Sequence, residues 1–223
     1  MPQIKANGIN LEYESYGPTS GQTILLIMGL GGQLTRWPLP FIEMLTARGY
    51  RVIRYDNRDV GLSKKFEDAG PVNVQTLMAD VAAGKKPKVP YSMRDMAADA
   101  AGLLDALGIK KAHIVGASMG GMIAQWVAAD FPEHTISLTS IMSSTGNPAL
   151  PTSTPAATEV LFNRPPVNVD LETLLDYGVK GAKVIGSPGY PQDDAVLRNQ
   201  IASDFKRSNY PEGFSRQIAA VMA

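Results

Sequence analysis

The hydrophobic positions of residues 1–145 follow two alternating patterns, one typical of buried strands and one typical of helices. Continuous apolar runs predict strands buried on both faces of a parallel sheet, whereas apolar residues spaced three and four apart predict helices that pack on it. The pair Asn7-Gly8 lies between two short alternating segments and predicts a hairpin with a type I′ turn. The predicted strands are 4–6, 9–16, 23–28, 50–55, 112–115 and 136–142, and the predicted helices are 40–48, 92–107 and 119–130. This order predicts an α/β fold with a mostly parallel sheet flanked by helices.

The pattern changes after residue 145, where prolines divide the chain into short segments. These prolines are Pro148, Pro151, Pro155, Pro165, Pro166, Pro188, Pro191 and Pro211. Between them, the sequence predicts helices at about 153–163, 170–184, 192–208 and 212–222, and no further buried strand. A helical cap is favoured over a flexible tail because one segment repeats apolar residues at helical spacing: Leu171, Leu174, Leu175 and Val179. We therefore expect an α/β core over 1–145 and a helical cap or insert over 146–223, interrupted at its C-terminal end.

The composition narrows the class of protein. The chain has 223 residues, of which 44% are hydrophobic, enough for one sizeable core. Its 21 basic and 21 acidic residues balance, so no charge excess indicates a nucleic acid or an anionic membrane as partner. The absence of cysteine excludes disulfides, cysteine nucleophiles and thiolate metal sites. The first residues lack the apolar stretch of a signal peptide, and the apolar run 24–28 is too short to cross a bilayer. We expect a cytoplasmic, soluble protein.

The candidate chemistry centres on the motif G-x-S-x-G, which here reads Gly116-Ala117-Ser118-Met119-Gly120. A strand pattern precedes it and a helix pattern follows it, as a nucleophile elbow requires. The turn is so tight that side chains two positions before and after the serine would clash, and Gly116 and Gly120 leave the space free. The Ser118 hydroxyl would then stand at the carboxyl edge of the sheet, above a helix N-terminus that can stabilise an oxyanion. The competing interpretation is a glycine-rich turn that binds phosphate or nothing; the surrounding pattern favours the elbow.

Two further segments accompany the motif in chain order. The segment 24–32 ends in M-G-L-G-G after a predicted strand, and the segment 54–63 reads R-Y-D-N-R-D-V-G-L-S after the next one. With the Ser118 motif, they resemble the N-terminal part of the α/β-hydrolase superfamily, where the corresponding loops commonly read His-Gly and D-x-R-G-x-G-x-S. Asp59 stands here at the first glycine of the second pattern. We interpret Asp56 and Arg58 as a structural ion pair that braces this turn, rather than as catalytic groups.

The Met-Gly form of the first loop, together with a helical insert after the sixth strand, resembles the branch that contains aclacinomycin methylesterase. The resemblance covers about residues 4–145 and implies a serine hydrolase that cleaves carboxylic esters through an acyl-enzyme on Ser118. It also implies an oxyanion hole made by the backbone N–H groups of Leu30 and Met119. The glycines that would support these turns are Gly29, Gly116 and Gly120. The resemblance implies a small-molecule ester as substrate and neither a metal nor an organic cofactor.

A serine nucleophile needs a base within about 3 Å of its hydroxyl, and the sequence contains only His113 and His134. His113 begins the strand that leads to Ser118, so five residues at about 3.3 Å each place it roughly 16 Å away, at the opposite edge of the sheet. His134 precedes the next strand and is expected at the same edge. Both are interpreted as surface or structural histidines. After the sixth strand, residues 142–145 read M-S-S-T and offer no carboxylate.

We therefore expect the catalytic acid and histidine to lie in a C-terminal segment that is absent from this chain, together with the final strands of the sheet. That segment could be a second polypeptide, a proteolytic loss or a truncation, and the chain alone is expected to be inactive. One edge of the sheet would be exposed, which favours aggregation, a homo-oligomer or association with a complementary C-terminal polypeptide. Three other possibilities stay open: a hydrolase-like ligand-binding protein without turnover, a truncated inactive fragment, and a structural or assembly module that uses the sheet edge.

Overall fold

The structure, a computed structural model, describes residues 2–85, 87–147, 149–162 and 169–223. The predicted breakers Pro148, Pro165 and Pro166, and the last residue of the predicted helix 153–163, lie outside the described residues. The chain forms two compact units. The first unit comprises Met1–Thr145 and Tyr210–Ala223, and the second comprises Gly146–Asn209.

A six-stranded mixed sheet forms the centre of the first unit, with the strand order β1-β2-β4-β3-β5-β6. Strands β1 and β2, and β2 and β4, pair antiparallel, whereas β4, β3, β5 and β6 run parallel to one another. The strands are β1 (Gln3–Ala6), β2 (Ile9–Tyr16), β3 (Thr23–Ile27), β4 (Arg51–Tyr55), β5 (Ala112–Ala117) and β6 (Thr135–Ile141). Every residue of β3 is buried, as its continuous apolar run predicts.

The first two strands form the predicted hairpin. Ala6 pairs with Ile9, and the two turn residues Asn7 and Gly8 have φ of +46° and +79°. Two successive positive φ values are the geometry of a type I′ turn, in which asparagine and glycine are the residues least strained. The Asn7-Gly8 prediction is therefore confirmed.

Helices of the first unit pack on both faces of this sheet. Those of the first unit are α1 (Leu39–Thr46), α2 (Val74–Ala82), α3 (Met93–Ala106), α4 (Met119–Asp130) and α8 (Pro211–Met222). Those of the second unit are α5 (Pro155–Phe162), α6 (Leu171–Ile185) and α7 (Asp194–Arg207). One buried cluster joins α3 and α4 to one face of the sheet, and a smaller cluster joins α1 to the other face. In the second unit, α6 and α7 pack through Leu175, Val179, Leu197 and Ile201.

The last helix groups with the sheet rather than with the helical insert. The sequence predicts one cap over 146–223, whereas the structure assigns Tyr210–Ala223 to the first unit. The physical reason is a buried contact across the chain: the Arg216 guanidinium donates to both carboxylate oxygens of Asp59, at 2.8 and 2.9 Å. Both side chains of this pair are almost fully excluded from solvent.

Strand β6 lies at the edge of the sheet, and among the described residues it pairs with β5 alone. Three of its apolar side chains, Ile136, Leu138 and Ile141, are each 42% exposed. Such an edge offers both open backbone groups and apolar contacts to another chain. Within the ranges given above, no helix is long and apolar enough to cross a membrane.

Candidate active site

Ser118 stands at the junction of β5 and α4, as the nucleophile-elbow interpretation predicts. Its φ of +55° and ψ of −123° are strained values for a residue with a side chain. The surrounding strands hold this conformation: the Ser118 N–H donates to the carbonyl oxygen of Ile141 at 2.9 Å, and the Ser118 carbonyl accepts from Gly121 N–H at 2.8 Å. The serine therefore lies at the carboxyl edge of the parallel strands and begins a helix.

Two glycines make this turn sterically possible. A Cβ on Gly116 would overlap the carbonyl group of Gly120, and a Cβ on Gly120 would overlap the carbonyl oxygen of Ile27 in β3. The turn and the neighbouring strand are thus in direct backbone contact. The sequence inference that these two positions require glycine agrees with this packing.

The loop after β3 lies directly against the serine. A Cβ on Gly29 would come 3.0 Å from Ser118 Cβ and 3.5 Å from Ser118 Oγ. The loop closes in a four-residue turn, because Gly32 N–H donates to Gly29 O at 3.0 Å and Gly31 has a φ of +65°. A positive φ at the third position is the feature of a type II turn.

The two backbone amides assigned to the oxyanion hole are open. In the described part of the chain, neither the N–H of Leu30 nor that of Met119 takes part in a hydrogen bond. Leu30 directly follows Gly29, whose backbone touches Ser118, and Met119 directly follows Ser118 at the start of α4. Two free donors therefore flank the serine from two different elements, one of them a helix N-terminus.

Asp56 braces the loops beside the serine through backbone amides. Its carboxylate accepts from Leu34 N–H at 2.7 Å and from Leu62 N–H at 2.8 Å. Arg58 instead forms its ion pair with Asp99 of α3, at 2.6 Å. The prediction that Asp56 and Arg58 pair with each other is therefore wrong. Asp56 binds backbone amides 22 and 6 residues away, and Arg58 pairs with an aspartate 41 residues away, which the local pattern does not reveal.

Asp59 stands where the D-x-R-G-x-G-x-S pattern has its first glycine, and the contacts of its carboxylate explain the difference. The residue has a φ of +67° and is almost fully buried. Besides Arg216, its carboxylate accepts from Tyr91 Oη at 2.7 Å and from Phe66 N–H at 2.8 Å. Burial, followed by the nearby Asp59 carboxylate, raises the pKa of Tyr91 well above its ordinary value, so the phenol stays a neutral donor. The carboxylate is thereby satisfied on all sides.

Neither histidine is placed to serve Ser118. His113 lies near the amino end of β5, where its Nδ1 is 2.8 Å from Ser137 Oγ. His134 precedes β6, where its Nε2 is 3.4 Å from Asp105 Oδ1 and its Nδ1 is 3.0 Å from the carbonyl oxygen of Lys110. Both positions are at the edge opposite Ser118, as predicted. Across the described ranges, no cluster of three histidine or acidic side chains is arranged to hold a metal ion.

Comparison with known proteins identifies the family of the chain. A family model described as alpha/beta hydrolase fold matches residues 22–174. The chain is 35% identical over 136 residues to a rhodomycin D methylesterase of Streptomyces sp. strain C5, and the match covers 61% of the chain and 40% of that enzyme. The corresponding enzyme of Streptomyces peucetius matches at the same identity and coverage. The chain thus spans about two fifths of the length of these curated relatives.

A similar fold is found in solved structures. The enol-lactonase of Burkholderia xenovorans LB400 superposes with a TM-score of 0.66 at 24% sequence identity, covering 100% of this chain and 74% of the lactonase chain. At this identity the similarity concerns the fold alone.

Proposed function

The chain belongs to the alpha/beta hydrolase fold family, and on that premise we propose that it carries the nucleophile and the oxyanion hole of a serine hydrolase that cleaves carboxylic esters. The observation that supports this proposal most directly is the strained backbone of Ser118, flanked by the two open amides of Leu30 and Met119. Strain of this kind is maintained only where the surrounding structure imposes it, and it is concentrated at functional sites. The ester class follows the name of the methylesterase relatives.

In the proposed reaction, Ser118 Oγ attacks the ester carbonyl carbon while a base accepts the hydroxyl proton. The negative charge that develops on the carbonyl oxygen is stabilised by the N–H groups of Leu30 and Met119. The alcohol leaves with a proton returned by the same base, and water then releases the acid from the acyl-enzyme. Both hydrogen bonds strengthen as charge develops, so they lower the barrier rather than only improving binding.

The base and the acid that orients it are proposed to come from a complementary polypeptide. The sequence has only His113 and His134, and both are engaged at the opposite edge of the sheet. The exposed edge of β6 is the proposed docking position, since its carboxyl end leads to the carbonyl of Ile141, which accepts from Ser118 N–H. A strand added there in parallel would bring its own carboxyl end to the same edge as the serine. A homodimer through β6 is the alternative occupant.

Exogenous imidazole tests the nucleophile on the chain itself. With imidazole at pH about 8, a fluorophosphonate probe should form an Ser118 Oγ–P bond as fluoride leaves and imidazole takes the proton. We expect imidazole to raise the labelling rate by about tenfold or more, because a general base contributes about 10² to 10⁴ in rate. Peptide mass spectrometry locates the adduct, and p-nitrophenyl acetate should likewise leave an acetyl group on Ser118.

The matched control is Ser118→Ala, which should stay unlabelled under the same conditions. Equal labelling of both proteins, or no labelling of the wild-type chain with imidazole present, would defeat the proposal. The second outcome would favour a hydrolase-like protein that binds ligands without turnover, a function consistent with the lack of a histidine near Ser118.

A further inference from the structure

We propose that Gln217 of α8 is a positioning residue that holds the oxyanion turn in its active geometry. This inference rests on the proposed function, because it concerns the turn that carries the Leu30 N–H. It assigns to the last helix of the chain a task in transition-state stabilisation, besides its packing on the first unit.

The Gln217 side chain is fully buried and its amide is bonded at both ends. Its Oε1 accepts from Gly31 N–H at 2.8 Å, and its Nε2 donates to the carbonyl oxygen of Arg58 at 2.9 Å. The two bonds fix the orientation of the amide. In a flipped amide, the NH₂ group would face the Gly31 N–H and the oxygen would face the carbonyl oxygen of Arg58. One side chain thus links the loop after β3 to the loop after β4.

The Gly31 N–H that Gln217 binds belongs to the middle peptide of the Gly29–Gly32 turn. Type I and type II turns differ by a rotation of this peptide, so a group that holds its N–H selects one of the two forms. The carbonyl group of Leu30 belongs to this middle peptide, and the N–H of Leu30 is the donor assigned to the oxyanion. Fixing the peptide therefore fixes the backbone of Leu30 beside Ser118, with which Gly29 is in contact.

Gln217 reaches this place because other residues anchor its helix. Arg216 secures α8 through its ion pair with Asp59, and it also donates to the carbonyl oxygen of Gly70 at 2.7 Å. Gly213 allows the helix to approach closely, since a Cβ there would overlap the carbonyl oxygen of Asp59. The anchoring contacts do not involve the Gly29–Gly32 turn. The role of Gln217 can therefore be separated experimentally from the docking of α8.

The test compares the imidazole-dependent phosphonylation rate of Ser118 in the wild-type chain and in Gln217→Met. Methionine has a similar length but lacks both hydrogen bonds. We expect a rate about tenfold lower, less than the 10² to 10³ lost when an oxyanion donor is removed outright. Gln217→Glu keeps the acceptor for Gly31 N–H and should recover part of the rate. Leu104→Ala, a buried substitution in α3, is the stability control and should lower the melting temperature while the folded protein keeps the wild-type rate.

Amide hydrogen exchange supplies a readout that does not depend on catalysis. Gly31 N–H should exchange faster in Gln217→Met than in the wild type, and slowly again in Gln217→Glu. Unchanged exchange at Gly31 in Gln217→Met would overturn the inference even if Ser118 proves unreactive. Wild-type labelling rates in Gln217→Met would overturn it while leaving the proposed function in place, whereas unlabelled wild-type protein would defeat the proposed function alone.

Discussion

At the scale of single residues, Asp59 links the backbone of a loop to the position of a helix. Its left-handed conformation costs about 1–2 kcal/mol for most residues with a side chain, less for aspartate. Glycine would avoid this cost but could not bind Arg216. The carboxylate compensates through its bidentate contact with that guanidinium. At position 59, the chain therefore has a side chain that pairs with the distant Arg216 instead of the conformational freedom of a glycine.

Removing the cation of this pair should destabilise the first unit strongly. Arg216→Met leaves the Asp59 carboxylate buried without its counter-ion, and such a change costs about 3–5 kcal/mol. Urea-induced unfolding measures the loss. The double variant Asp59→Gly with Arg216→Met should lose less, because it removes the unpaired charge and the backbone strain together. A single Arg216→Met variant as stable as the wild type would contradict this account.

The elbow could be predicted from sequence because its requirement is local. Gly116 and Gly120 stand at fixed offsets from Ser118, and any larger side chain at either place would overlap backbone atoms. Arg216 and Gln217 could not be found in this way, because their partners lie 157 and 159 residues away. No local signal marks Arg216, because it lies on the face of α8 opposite the apolar residues Phe214, Ile218 and Val221.

At the scale of elements, α3 begins with a complete capping box. Ser92 Oγ accepts from Asp95 N–H at 3.2 Å, and the Asp95 carboxylate accepts from Ser92 N–H at 2.7 Å. Burial raises the pKa of Asp95, but the hydrogen bonds from Ser92 lower it and hold it below its ordinary value of 3.8. A capping box can be recognised in a sequence because its two residues are three positions apart.

The lowered pKa makes the cap dependent on pH. An aspartate with a depressed folded pKa stabilises the protein above its unfolded pKa of 3.8, and this contribution is lost as the pH falls through the folded value. Asp95→Asn should therefore cost about 0.3–1 kcal/mol at pH 7, as for an exposed charge at a helix N-terminus, and the difference from wild type should shrink below about pH 3.8. Urea unfolding at several pH values checks this. The exposed Asp68→Asn should change stability by less than about 0.5 kcal/mol at pH 7, and an undiminished Asp95→Asn effect at low pH would refute the assignment.

The helix α2 shows where element prediction failed. No helix was predicted over Val74–Ala82, which buries only Leu77. Its apolar residues Val74, Leu77, Met78 and Val81 do follow helical spacing, so the sequence contained a signal for this helix that the prediction overlooked. Its start does carry a recognisable signal, since Asn73 accepts from Thr76 N–H at the N-cap.

At the scale of the whole molecule, the open edge of β6 dominates the expected behaviour in solution. Leu138→Lys should reduce self-association of the isolated chain, because a charge on an edge strand opposes pairing with another strand. The side chain is 42% exposed, so the fold should tolerate lysine there. Sedimentation velocity measures the association. Met44→Lys on α1, where the methionine is 58% exposed, is the charge-matched control and should associate like the wild type. Equal suppression by both variants would show a general charge effect instead.

The division into two units could be predicted only in part. The change of pattern near residue 145 marks the real end of the first segment of unit 1. The return of the chain at Tyr210 has no comparable signal, since α8 looks like the helices before it and differs only in what it contacts.

The discontinuous first unit has a consequence for biosynthesis. A ribosome must make all of Gly146–Asn209 before Arg216 and Gln217 can reach the loops at Asp59 and Gly31. Until then, the emerging nascent chain holds a carboxylate without its cation and a serine beside an unsecured turn. Docking of α8 is therefore a late step in the folding of this unit, and premature stops before residue 216 would leave Asp59 and the Gly29–Gly32 turn without these partners.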